Sequence, residues 1–112
     1  MADLPAGTVT FLFGDIAAGA SLRARFPRLL PSAIARYQAI LQQTLPACGG
    51  TIFHIDEGHC RAAFTTAREA LAAALAARRA LQTEDWGEPG VLPVRLGLHT
   101  ATAGQRDGTY VG

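Results

Sequence analysis

The stretch Thr8 to Ile16, Thr-Val-Thr-Phe-Leu-Phe-Gly-Asp-Ile, constrains this chain more than any other. A run rich in β-branched and aromatic residues leads into one glycine and one carboxylate, which reads as a buried strand delivering Asp15 to its end. Ligand sites of open α/β sheets gather at the carboxyl ends of strands, where backbone amides and the next helix N-terminus converge. Asp15 is therefore the leading candidate for a functional residue. The plainer reading of the same residue is a cap for the turn or for the following helix.

After Asp15, Ile16 to Ser21 forms a small-residue turn, Ile-Ala-Ala-Gly-Ala-Ser, whose lack of bulk lets backbone amides approach a phosphate. Pro27 and Pro31 then set up a helix from about Ser32 to Leu45, with Ile34, Tyr37, Leu41 and Leu45 at helical spacing, ended by Pro46 and Gly49-Gly50. Thr51 to Ile55 and Cys60 to Phe64 flank Asp56-Glu57-Gly58-His59, a β-hairpin with an acidic tip. Thr66 and Glu69 fit a capping box, with the Glu69 carboxylate returning to the Thr66 amide. They open a helix to about Thr83 whose buried stripe is expected at Leu71, Ala74, Leu75 and Leu81. Val94, Leu96 and Leu98 alternate with Arg95, Gly97 and His99 as a strand does; His99 is expected to be partly buried and hydrogen-bonded. The order strand, helix, strand, strand, helix, strand is the split βαβ pattern: an α+β, ferredoxin-like antiparallel sheet with helices on one face. Strand one and the last strand are expected beside the hairpin, with Asp15 near Asp56, Glu57 and His59.

Residues 1–112, with 49% hydrophobic and 17% charged residues, fit a single domain with one core. The net charge of +1 offers no basic field for nucleic acid. No cationic start precedes an apolar segment, and the alanine-leucine run from Ala70 to Ala77 is too short for a bilayer, so a soluble, cytoplasmic chain without membrane contact is expected. Cys48 and Cys60 read as reduced small hydrophobes. All ten basic residues are arginines.

Residues 4 to 16 resemble the opening of the class III nucleotidyl cyclase domain, of the bacterial kind found alone or with transcriptional regulators. Four further segments agree in order and spacing: the helix and Cys48-Gly49-Gly50 turn, the hairpin ending Arg61-Ala62-Ala63-Phe64, the alanine-rich helix, and Val94 to Thr100 with Arg106 to Gly112 behind it. The resemblance covers the N-terminal two thirds of such a domain, so a truncated cyclase fold is expected. It implies conversion of ATP to 3′,5′-cyclic AMP and pyrophosphate in intracellular signal transduction, with ATP or another nucleoside triphosphate as the bound nucleotide and Mg²⁺ or Mn²⁺ as cofactor. It also implies a homodimer or a longer cyclase-like partner, because family sites form between two domains. Carried over by position, Asp15 and the Ile16 carbonyl match one metal-binding pair, and Ala17, Ala18, Gly19 and Ala20 occupy the phosphate turn.

Several positions depart from the family pattern. Without gaps, the second metal aspartate falls on Gly58; a one-residue slip places Glu57 there. A glutamate's extra methylene shifts the carboxylate by about an ångström, a misplacement that costs on the order of a hundredfold in rate. His54 stands where adenylyl cyclases carry a base-selecting lysine, and the family's ribose-orienting asparagine and transition-state arginine fall beyond Gly112. The expectation is a degenerate cyclase domain that does not turn over by itself, with a non-catalytic regulatory or dimerisation module as the alternative and a ligand-free fragment as a third. A transition-metal cluster of His54, Asp56, Glu57, His59 and Cys60 is a rival for the hairpin. Strand alternation, which turns His54 and Ile55 to opposite faces, opposes it.

Overall fold

The computed structural model describes residues 7–17, 19–87, 92–106 and 109–111, with side chains as far as Thr102. The elements are β1 (Gly7–Ile16), α1 (Gly19–Arg25), α2 (Leu30–Ala47), β2 (Thr51–Ile55), β3 (His59–Phe64), α3 (Ala67–Thr83), β4 (Val94–Arg106) and β5 (Thr109–Val111). The strand order is β2-β3-β1-β4-β5, antiparallel throughout. This is the split βαβ sheet expected from the pattern, extended by β5, which pairs only with residues 104–106 of β4. β1 does lie beside the hairpin. The last long strand does not: β4 takes the opposite edge of β1, because β1 has one free edge left once β3 is paired.

Strand alternation divides β1 between two environments. Leu12, Gly14 and Ile16 face the helices, in a core with Tyr37, Leu41, Leu45, Ala62, Phe64 and the α3 alanines. Val9 and Phe11 face the helix-free side, where they pack with Ala63 and Phe53. Phe11 stacks on Phe13 at 6.2 Å and meets Phe53 edge-on at 6.0 Å. The turn from α2 to β2 needs its glycines. Gly49 has φ +91°, and a side-chain carbon on Gly50 would lie 2.5 Å from the Phe64 ring and 2.9 Å from the Leu45 carbonyl.

Local features differ from the sequence expectations for identifiable reasons. α2 begins at Leu30 with Pro31 in its first turn and keeps Pro46 inside its last turn. A proline there removes only one late helical bond, and the Cys48, Gly49 and Gly50 amides close the end on Leu45 and Pro46 carbonyls. α3 buries Ala70, Ala73, Ala77 and Leu81, leaving Leu71 and Leu75 exposed. So many of its residues are apolar that hydrophobicity alone does not select a face; the alanines win because they let the helix sit closer to the sheet. Its cap is half a capping box. The Glu69 amide donates to Thr66 Oγ1 (3.1 Å), while the Glu69 carboxylate accepts from the same hydroxyl rather than from the Thr66 amide. His99 is exposed, since it points to the helix-free side.

Candidate functional site at the end of strand β1

β1 ends between the hairpin and the start of β4. Asp15 is opposite His59 on one side and Arg95 on the other, and the Ile16 amide donates to the Gly58 carbonyl (3.1 Å). Facing residues of antiparallel strands share a face, so Asp15, His59 and Arg95 form one row on the helix-free side. Phe13, Arg61 and Gly97 form the next. A shallow depression links the two rows.

Within this row the Asp15 carboxylate is engaged. Arg95 Nε donates to Oδ1 and Nη2 to Oδ2, both at 2.9 Å, a bidentate pair that raises the guanidinium pKa. The sequence shows Arg95 alternating away from the core, yet its pairing with Asp15 depends on the β1–β4 register, which composition does not fix.

The hairpin carboxylates turn elsewhere. Asp56 closes its own turn, its Oδ1 accepting the amides of Gly58 (3.0 Å) and His59 (2.9 Å). His54 Nε2 donates to Asp56 Oδ2 (2.9 Å) and His59 Nδ1 to Oδ1 (3.2 Å). The bond from His54, followed by the Gly58 amide, holds this carboxyl well below the usual carboxylate range. Gln38 of α2 fixes the tip by donating to the Asp56 carbonyl (2.6 Å). Glu57 points outward, 79% exposed, with Arg23 of α1 at 3.7 Å.

The residues expected in the site are thus split between two surfaces. Ile16, Gly19, Ala20, Glu57 and Gly58 line a separate cavity with Arg23 and Ile34, whereas Asp15 lines the depression on the helix-free side. Ala17 is a turn residue whose amide donates to the Pro93 carbonyl (2.7 Å); Gly19 and Ala20 begin helix α1 rather than continuing a loop. Ala18 lies outside the described residues. His54 is occupied by Asp56.

The donor set does not suit a pair of hard divalent ions, which need two or more carboxylates converging on one point. Asp15 faces an arginine and a histidine, Gly58 supplies no side chain, and Glu57 is directed to the other cavity. The rival cluster at the hairpin does not form either: His54 and His59 converge on Asp56 as hydrogen-bond donors, and Cys60 is buried, its thiol pushed up to about 11 by burial. Among the described residues, no three His, Cys, Asp or Glu side chains could hold a metal ion.

Beneath the site, the Tyr37 hydroxyl is buried near Gly14 and has no hydrogen-bond partner among the described residues. Burial, more than the nearby Cys60 and Asp15, raises its pKa. No described helix is long and apolar enough to cross a membrane.

No family model matches the chain, and no curated protein does. Solved structures do. An adenylate cyclase from Trypanosoma brucei in its monomeric state superposes with a TM-score of 0.82 at 17% identity, covering 95% of this chain and 64% of that one. The chain carries the nucleotide cyclase fold. The adenylate/guanylate cyclase/hydrolase of Silicibacter pomeroyi agrees with a TM-score of 0.73 at 23% identity, over 94% of this chain and 62% of that one. The guanylate cyclase domain of RhGC from Catenaria anguillulae, solved in complex with GTP, gives 0.75 at 16% identity, over 95% and 66%. The chain therefore spans a little under two thirds of the length of the T. brucei and S. pomeroyi cyclase structures. β1, the hairpin and α3 are elements of that cyclase fold, so the row of Asp15, His59 and Arg95 sits on a cyclase scaffold.

Proposed function

We propose that this cyclase-fold domain acts in signal transduction as a regulatory or dimerisation module and does not itself cyclise ATP. The observation that carries the reading is the row at the end of β1: Asp15 is held by Arg95 on one side and faces His59 on the other, while both hairpin carboxylates turn away. Attack of a ribose hydroxyl on the α-phosphate needs charge neutralisation that cyclases draw from two divalent ions. One carboxylate already paired with a guanidinium is a poor start for that. The helix-free face, with Phe13 39% exposed beside Phe11 and Phe53, fits contact with another copy or a longer cyclase-like chain.

A second reading, residual Mg²⁺- or Mn²⁺-dependent turnover of a nucleoside triphosphate, is favoured by one feature. The Asp15–Arg95 pair is open to water, the arginine side chain being 72% exposed, and exposed ion pairs are weak enough to yield to a multivalent competitor. Assaying cyclic AMP and cyclic GMP formation with Mn²⁺, for the parent and for Arg95→Ala, separates the two. The proposal expects no product from either protein. Product that rises in Arg95→Ala establishes the second reading and removes the first.

A further inference from the structure

Between α1, the start of α2 and the hairpin tip lies a cavity of about 560 Å³, inside the range of roughly 300–1,000 Å³ in which small-molecule sites fall. The chain leaves it open. α1 ends at Arg25 and α2 begins only at Leu30, and two of the lining residues carry no side chain: a carbon added to Gly19 or to Gly58 would meet nothing within 4 Å. The most buried part of the lining is apolar. Leu30 and Ile34, one helical turn apart on α2, contribute to it together with Ile16 from the end of β1. Leu30 belongs to the buried core, and Ile16 and Ile34 pack against that core while staying partly exposed.

Two opposite charges border the same cavity. Arg23 of α1 and Glu57 of the hairpin tip approach to 3.7 Å, Nη2 to Oε2, with side chains 62% and 79% exposed. That separation is within reach of Coulomb attraction but beyond a hydrogen bond, so the guanidinium donors and the carboxylate acceptors are both still available. Neither side chain has a second ionic partner among the described residues. An ion pair this exposed contributes little, and the two groups part at little cost. Asp56, the other carboxylate of the lining, is already spent on the hairpin amides and imidazoles.

We propose that this cavity binds a free α-amino acid with an apolar side chain. The ligand ammonium donates to the Glu57 carboxylate, the ligand carboxylate accepts from the Arg23 guanidinium, and the side chain covers Ile16, Leu30 and Ile34. A zwitterion answers both charges at once. A ligand with a single charge leaves one of the pair without a partner and sets its own charge beside a like one, as a triphosphate would beside Glu57. A neutral apolar molecule satisfies neither group. Such binding does not depend on whether the row at Asp15 turns over a nucleotide, because Asp15 lines the depression on the other side of the sheet.

The test is calorimetric titration of the full chain with L-leucine and with three relatives of it. 4-Methylpentanoate lacks the ammonium, 3-methylbutan-1-amine lacks the carboxylate, and glycine lacks the side chain. Leucine is expected to bind with a Kd on the order of a millimolar or below, and each relative about tenfold or more weakly. Arg23→Gln should weaken leucine binding about fivefold or more and erase its advantage over the amine while keeping that over 4-methylpentanoate; Glu57→Gln should do the reverse. Ala20→Phe fills the cavity from an exposed position on α1 and should remove leucine binding. Thermal melts of all three variants should match the parent, because Ala20, Arg23 and Glu57 are exposed. Absence of leucine binding at about ten millimolar overturns the proposal, as does equal binding of leucine and 4-methylpentanoate. Arg23→Gln and Glu57→Gln proteins that melt like the parent and bind leucine unchanged overturn it equally.

Discussion

Asp56 shows how one side chain decides what a hairpin can offer. An aspartate two residues before a glycine at a strand turn has two uses, as a ligand pointing outward or as the acceptor that closes the turn. Its carboxylate takes two backbone amides and two imidazoles, and so is spent on structure. Because the folded-state pKa is depressed, its contribution is present above the unfolded value of about 3.9 and is lost as pH falls toward the folded one. Asp56→Ala is therefore expected to lower the melting temperature at pH 7, and the gap between parent and variant to narrow as pH is taken below about 4. Thermal melts across that range check it; a gap of the same size at pH 3 and pH 7 contradicts the role given to the carboxylate.

α3 sets the limits of pattern reading at the scale of an element. The helix, its Thr66 cap and its end near Thr83 are legible, because the cap residue and the run of helix formers leave little choice. Its buried face is not, because leucine and alanine stripes both satisfy a 3.6-residue period and only the spacing to the sheet chooses between them. That spacing makes a specific prediction. Ala77→Leu inserts three carbons where the helix touches the core and is expected to cost about 1–3 kcal/mol, whereas Leu75→Ala, on the exposed side, is expected to change stability by less than about 0.5 kcal/mol. Urea unfolding of both variants tests the assignment, and a larger loss for Leu75→Ala reverses it. The hairpin gives a parallel case. Its two strands follow from alternation, but the irregularity between Ile52 and His54, which sets His54 opposite Arg61, has no glycine or proline to announce it.

For the whole molecule, the antiparallel sheet with both long helices on one side follows from the order of elements, whereas the place of β4, on the far edge of β1 rather than beside the hairpin, and the added β5 do not. The site follows less directly. That Asp15 closes β1 and that the hairpin tip lies beside it are topological facts, readable from the chain. That Asp15 meets Arg95, that Glu57 leans toward Arg23, and that small α1 follows where a loop was expected depend on register and on rotamers near the ends of strands. Chemistry on a cyclase fold is decided by those details rather than by the fold. We infer that the end of β1 does not assemble a metal pair. Electron paramagnetic resonance of Mn²⁺ titrated with ATP into the parent and into Asp15→Asn decides it: both proteins are expected to leave the Mn²⁺–ATP signal alike, whereas two equivalents of Mn²⁺ taken up by the parent but not by Asp15→Asn would show that the pair forms.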